Sequence, residues 1–96
     1  MSETKVETLD DVLIDLGIQM EKNYVLILWN DDVNSMEHVL LALVEICGLD
    51  PQTSYTKMME AHTNGKTVIK KDSLSVLEQM KKGLNDRLIE ATIEEE

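Results

Sequence analysis

The chain is short of most residues that covalent chemistry or export would need. One cysteine, Cys47, occurs in 96 residues, so no disulfide can form within the chain, in keeping with a reducing compartment. It falls on the apolar stripe of an expected helix, where burial raises a thiol's pKa and leaves it inert as a nucleophile. Aromatic residues make up 3% of the chain and phenylalanine is absent, so Leu, Ile, Val and Met must fill the core. No apolar run approaches the roughly 18–20 residues that cross a bilayer. The N-terminus lacks the basic-then-apolar pattern of a signal peptide, and a cytoplasmic location is expected. There is no Gly-x-Ser-x-Gly, phosphate loop or dinucleotide fingerprint. Two histidines, His38 and His62, and one cysteine would need carboxylates to complete a zinc site, and the neighbours Glu37 and His38 point in different directions on a helix. The expectation is a protein that is not an enzyme and carries no metal or other cofactor.

Positive charge is scarce as well. Nine Lys and Arg stand against nineteen Asp and Glu, a formal charge of −10, which repels nucleic acid and anionic membrane at long range. A cationic ligand is compatible with it. The charge is uneven: residues 1–22 carry Glu3, Glu7, Asp10, Asp11, Asp15 and Glu21 against Lys5 and Lys22, whereas six of the nine bases lie between Lys66 and Arg87. A solvated tail and a solvated face account for this, as does a basic docking surface beside an acidic tail. The length suits one domain, expected to be monomeric.

Residues 1–22 offer no capped, periodic element of convincing length and read as a flexible acidic extension, in which 12–18 form at most a transient strand. The folded domain is expected over 23–96. Tyr24–Trp29 is rich in β-branched and aromatic residues and apolar on both alternating faces, the pattern of a buried strand. Turn formers Asn30-Asp31-Asp32 end it. Asn34 as N-cap with Glu37 three positions on makes a capping-box pattern. Met36, Val39, Leu40, Leu43, Val44 and Cys47 then form one helical stripe, stopped by Gly48. Asp50-Pro51 restarts a helix that carries Tyr55, Met58, Met59 and His62 and ends near Gly65. A short strand over 66–70, a third helix capped by Asp72 or Ser73 and closed by Gly83, and a last strand over 87–93 complete the chain. The order β-α-α-β-α-β predicts an α+β fold with helices packed on one face of a small three-stranded sheet.

Residues 30–37 form a polar strand-to-helix turn, and a turn with a cap would explain them. A second reading comes from the helix hairpin. Met58 and His62 are four apart, hence on one helix face. The short connection at 48–50 makes the two helices antiparallel. Their packing would return His62 to Asn30 and Asp31, and Met58 to Met36 and Val39. That is a polar mouth above a methionine-lined pocket. Methionines at this spacing are equally the mark of an ordinary core.

Asn30-Asp31-Asp32, with Met36-Glu37, followed by Met58, His62 and Gly65-Lys66 at their spacings, resembles the signature of the ClpS family. These are bacterial adaptors that deliver N-end-rule substrates to a Clp AAA+ unfoldase–peptidase. The resemblance spans residues 23–69. It implies that Asn30, Asp31 and His62 contact a substrate's free α-amino group. It further implies that Asp32 and Asn34 shape the rim, and that Met36, Val39, Met58 and Ala61 line the pocket for a bulky first side chain. Ile89 is a further pocket candidate. The sequence departs from the family at Asn34-Ser35, commonly Thr-Pro, and at Ala61, often Val, which implies a roomier pocket. Beyond Ile69 the match weakens: the third helix reads as shorter. Met80 and Ser75 stand at positions the family uses to dock on the unfoldase, while Glu78 keeps its acidic match. The implied partners are the N-terminal residues of substrate proteins and a Clp-type unfoldase; the alternative is a module of this fold that binds an internal peptide.

Overall fold

The first helix lies where no capped element is expected. Thr8 Oγ1 accepts from the Asp11 backbone N–H at 3.2 Å and the Thr8 N–H donates to Asp11 Oδ2 at 3.3 Å, a reciprocal cap that opens α1, Leu9–Asp15. Three acidic residues in one helical turn and a half obscured this signal. The computed structural model describes residues 8–18 and 23–96; the rest of the expected flexible extension, 1–7 and 19–22, lies outside them.

The strand β1 (Tyr24–Trp29) is the centre of a three-stranded antiparallel sheet of order β2-β1-β3. Leu26, Ile27 and Leu28 are all buried; Leu26 and Leu28 share one face of the strand and belong to the core cluster. Its partners are β2 (Lys66–Asp72) and β3 (Ala91–Glu95). Between them in the chain run α2 (Met36–Cys47), α3 (Pro51–Asn64) and α4 (Leu74–Asp86). Helices α3 and α4 contact the sheet, and α2 packs against both. The architecture is the expected α+β arrangement. Leu26, Leu28, Leu43, Leu77, Leu84 and Ile89 form the centre of the core. Among the described residues no helix is long and apolar enough to cross a membrane.

Several boundaries differ from the sequence reading for identifiable reasons. Ser35, rather than Asn34, caps α2: its Oγ accepts from the His38 N–H at 3.1 Å, because Asn34 is engaged elsewhere. Gly83 does not stop the third helix but lies inside α4. A β-carbon there would stand 3.0 Å from Ile46 Cγ2 on α2, so the glycine permits a close helix–helix approach instead. The helix continues to Asp86 and is followed by Leu88 at φ 63, a left-handed residue that ends it as glycine often does. The last strand therefore begins at Ala91 rather than Arg87. Ser73 occupies the cap position of α4 without a side-chain cap bond.

Cys47 is 3% exposed, and burial pushes its thiol up to about 11, with Lys70 partly offsetting the shift. Alkylation by iodoacetamide at pH 8 should run about a hundredfold slower in the native protein than in urea. A native rate matching the unfolded one would contradict this placement.

Candidate functional site

Backbone pairing brings the two halves of the site together. At the end of β1 the Trp29 N–H donates to the Glu90 carbonyl at 3.2 Å, and the Asn30 N–H donates to the Gly65 carbonyl at 2.8 Å. Gly65 adopts φ 91 as the left-handed cap of α3, and its own N–H donates to Ala61. A glycine is suited to that conformation because it has no β-carbon to clash. The start of the β1–α2 loop is thereby tied to the last turn of α3, which carries Ala61 and His62.

The loop is set by Asp31. Its Oδ1 accepts from the backbone N–H groups of Val33 and Asn34, both at 2.8 Å, and its Oδ2 accepts from the Asn34 side-chain amide. Partial burial by itself raises the Asp31 pKa, but the hydrogen bonds from Asn34 and Val33 outweigh it, and the pKa is lowered. The group is a carboxylate at neutral pH. Asn34 uses its second amide hydrogen on the Leu88 carbonyl at 2.8 Å. His38 Nε2 donates to the Arg87 carbonyl at 2.8 Å, and Arg87 itself pairs with Glu45 at 2.8 Å. The turn before β3 is therefore clasped to the loop and to α2.

Between these elements lies a recess of about 340 Å³, its open mouth included, lined by Leu28, Trp29, Asn30, Asp31, Asn34, Met36, Val39, Met58, Ala61 and His62. Leu28, Val39, Met58 and Ala61 are buried, whereas Met36 is 51% exposed. Polar groups gather with them on the wall. Asn30 donates its amide to Asp32 at 3.2 Å, which leaves its side-chain oxygen as an acceptor. His62 is exposed, and its ring has no hydrogen-bond partner among the described residues. Asp31 Oδ2, with one donor, keeps capacity for another.

Of the residues singled out from sequence, Asn30, Asp31, Asn34, Met36, Val39, Met58, Ala61 and His62 meet at this one recess. Asp32 does not line it; it is exposed and holds Asn30 from outside. Ile89, 1% exposed, belongs to the core and is not on the wall. Glu78 lies on a separate groove with Tyr24, Leu74, Lys81 and Lys82. Leu28 and Trp29 are wall residues that the sequence reading did not assign. Trp29 is fixed by its Nε1 donating to Thr92 Oγ1 at 2.8 Å and by Lys66 Nζ 5.1 Å above its ring. Their position directly before the Asn30 turn was the available signal. Among the described residues no three His, Cys, Asp or Glu side chains converge as a metal site.

Comparison with known proteins bears on this recess. Residues 19–92 match the family described as ATP-dependent Clp protease adaptor protein ClpS. The chain is 35% identical over 74 residues to the ATP-dependent Clp protease adapter protein ClpS of Prochlorococcus marinus (strain MIT 9515), covering 76% of this chain and 70% of that protein. Its fold is similar to that of Agrobacterium tumefaciens ClpS2 bound to L-phenylalaninamide, with a TM-score of 0.74, 25% identity, and coverage of 80% of this chain and 100% of the other.

Proposed function

Because the chain belongs to the ClpS family of Clp protease adaptors, a family that is not catalytic, we propose that its recess binds the N-terminal residue of substrate proteins for delivery to a Clp AAA+ unfoldase. The observation that carries this reading is the placement of three acceptor-bearing groups, Asn30, Asp31 and His62, on the wall of the same recess whose floor is Val39, Met58 and Ala61. L-phenylalaninamide, the ligand of the similar Agrobacterium protein, has a free α-amino group and a benzyl side chain, the two features such a recess would match.

An α-amino group has a pKa of about 7.7–8.0, so it is mostly ammonium at pH 7 with three donors. The Asn30 amide oxygen, the Asp31 carboxylate and an imidazole nitrogen of His62 are its acceptors. Hydrogen bonds to charged groups contribute roughly 1.5–3 kcal/mol each. An internal residue offers one amide N–H and would leave acceptors unpaired, which separates a chain terminus from its middle. Burial of the side chain adds on the order of 1.5–3 kcal/mol for Leu or Phe. Methionine walls adapt to several shapes. A β-branched first residue would crowd the mouth at Met36, so Ile and Val are expected to bind weakly.

Titration of a peptide beginning with Phe, free or Nα-acetylated, tests the reading. The free peptide should bind, acetylation should weaken it by about a hundredfold or more, and affinity should fall as pH rises past about 8, where the ammonium is lost. Equal affinity of the two peptides would instead favour a module that binds an internal segment.

A further inference from the structure

The apolar surface at Met36 and Met58 does not end with the recess. The same two side chains wall a second groove between α2 and α3, completed by Glu37, Leu40, Leu41 and Tyr55. Met36 and Leu40 are one turn apart on α2, as are Tyr55 and Met58 on α3, so helical spacing lines them up along the seam. Leu41 and Tyr55 are 53% and 49% exposed. They add nothing to the core cluster, yet they join a continuous apolar strip on a strongly acidic chain, and strips of this kind mark binding surfaces.

We propose that this groove takes the third side chain of a substrate whose first side chain occupies the recess, so that N-termini with an apolar third residue are preferred. The proposal rests on the recess being the first-residue site. In an extended chain alternate side chains share a face and stand about 6.4–6.8 Å apart, so residues 1 and 3 point at the protein while residue 2 points to solvent. Recess and groove share Met36 and Met58 in their linings. A chain anchored in the first depression would pass the exposed Met36 to reach the second. Glu37 on the groove wall opposes an acidic residue at position 3.

The test uses peptides Phe-Ala-Leu, Phe-Ala-Ala, Phe-Ala-Asp and Phe-Leu-Ala on one polar tail, titrated by fluorescence anisotropy. The proteins are the full chain and its Leu41→Ser/Tyr55→Ser variant. Both positions are exposed, so the variant should keep its fold, which its melting curve verifies. Wild type should bind Phe-Ala-Leu about fivefold tighter than Phe-Ala-Ala and Phe-Ala-Asp more weakly than either. In the variant the Leu-to-Ala ratio should fall to about one, with Phe-Ala-Ala unchanged. Equal affinities on wild type, a ratio that survives in the variant, or a preference for Phe-Leu-Ala over Phe-Ala-Leu would each overturn the proposal. So would a wild-type dimer in sedimentation that the variant dissolves, since the groove would then belong to a second copy. If no Phe-initiated peptide binds at all, the reading of the recess fails and this proposal falls with it.

Discussion

Replacing Asp31 with alanine should weaken binding of a Phe-initiated peptide by about 10- to 100-fold and lower the melting temperature by about 5 °C. Both effects come from one carboxylate. It removes an acceptor proposed for the ammonium, and it leaves the N–H groups of Val33 and Asn34 without the Oδ1 partner they share at 2.8 Å. Asn34 would also lose one of its two anchors, keeping only Leu88. Val33 is exposed and Asn34 only partly buried, so water takes over part of the lost bonding and the net cost is about 0.5–1.5 kcal/mol; each kcal/mol shifts the midpoint of a domain this size by about 4–8 °C. Asp31→Asn is the informative companion. It retains an oxygen for the backbone donors but not the charge, so it should recover much of the stability and little of the affinity. The folded pKa of Asp31 is lowered. The charge-linked part of its stabilisation is therefore complete above the unfolded carboxylate's value near 3.9 and is lost as pH falls through the lower folded value. Thermal melts of wild type and Asp31→Ala from pH 7 down to pH 2 should converge accordingly. A variant that melts with wild type at pH 7 would remove Asp31 from its role in the loop.

Replacing Ala61 with leucine should reduce affinity for Phe- or Trp-initiated peptides by about 30-fold or more while changing stability by less than about 2 kcal/mol. Ala61 is 2% exposed, but it faces the recess as well as the core. Added methylenes there have a void to enter, unlike those in a filled interior, where overpacking costs about 1–3 kcal/mol. The leucine would occupy the space the first side chain needs without touching the amine acceptors. An Ala-initiated peptide, which asks little of the recess, should keep its weak affinity. Calorimetry of the three peptides against both proteins decides the matter: unchanged Phe affinity in the leucine variant would place the first side chain elsewhere.

The strand Tyr24–Trp29, the helix hairpin and its punctuation were legible in the chain because each is governed by local rules. Asp50 and Pro51 start a helix, and Gly48 and Gly65 end one, by interactions spanning three or four residues. Indeed the Asp50 side chain accepts from the Thr53 N–H at 2.7 Å, and both glycines adopt positive φ. The convergence of Met36, Val39, Met58 and His62 was legible too, since helical spacing and a short connection bring these faces together. Local rules failed where two elements compete or meet. The sequence pattern made Asn34 the cap of α2, but Ser35 takes that place because Asn34 is drawn to the Leu88 carbonyl, 54 positions away. Gly83 looks like a stop signal until Ile46 is found against it.

By itself, then, the order of residues determined the element types from β1 onward and most of the side chains available to the recess. Both follow from periodicity and from hydrogen bonds between near neighbours. The tertiary structure alone decided that Leu28 and Trp29 complete the wall, that Asp32 and Ile89 do not, and that the apolar seam continues past Met36 to Leu41 and Tyr55. The reason is that a recess is a space left unfilled between packed elements. Its walls depend on how closely distant segments approach, and no short stretch of chain encodes that distance.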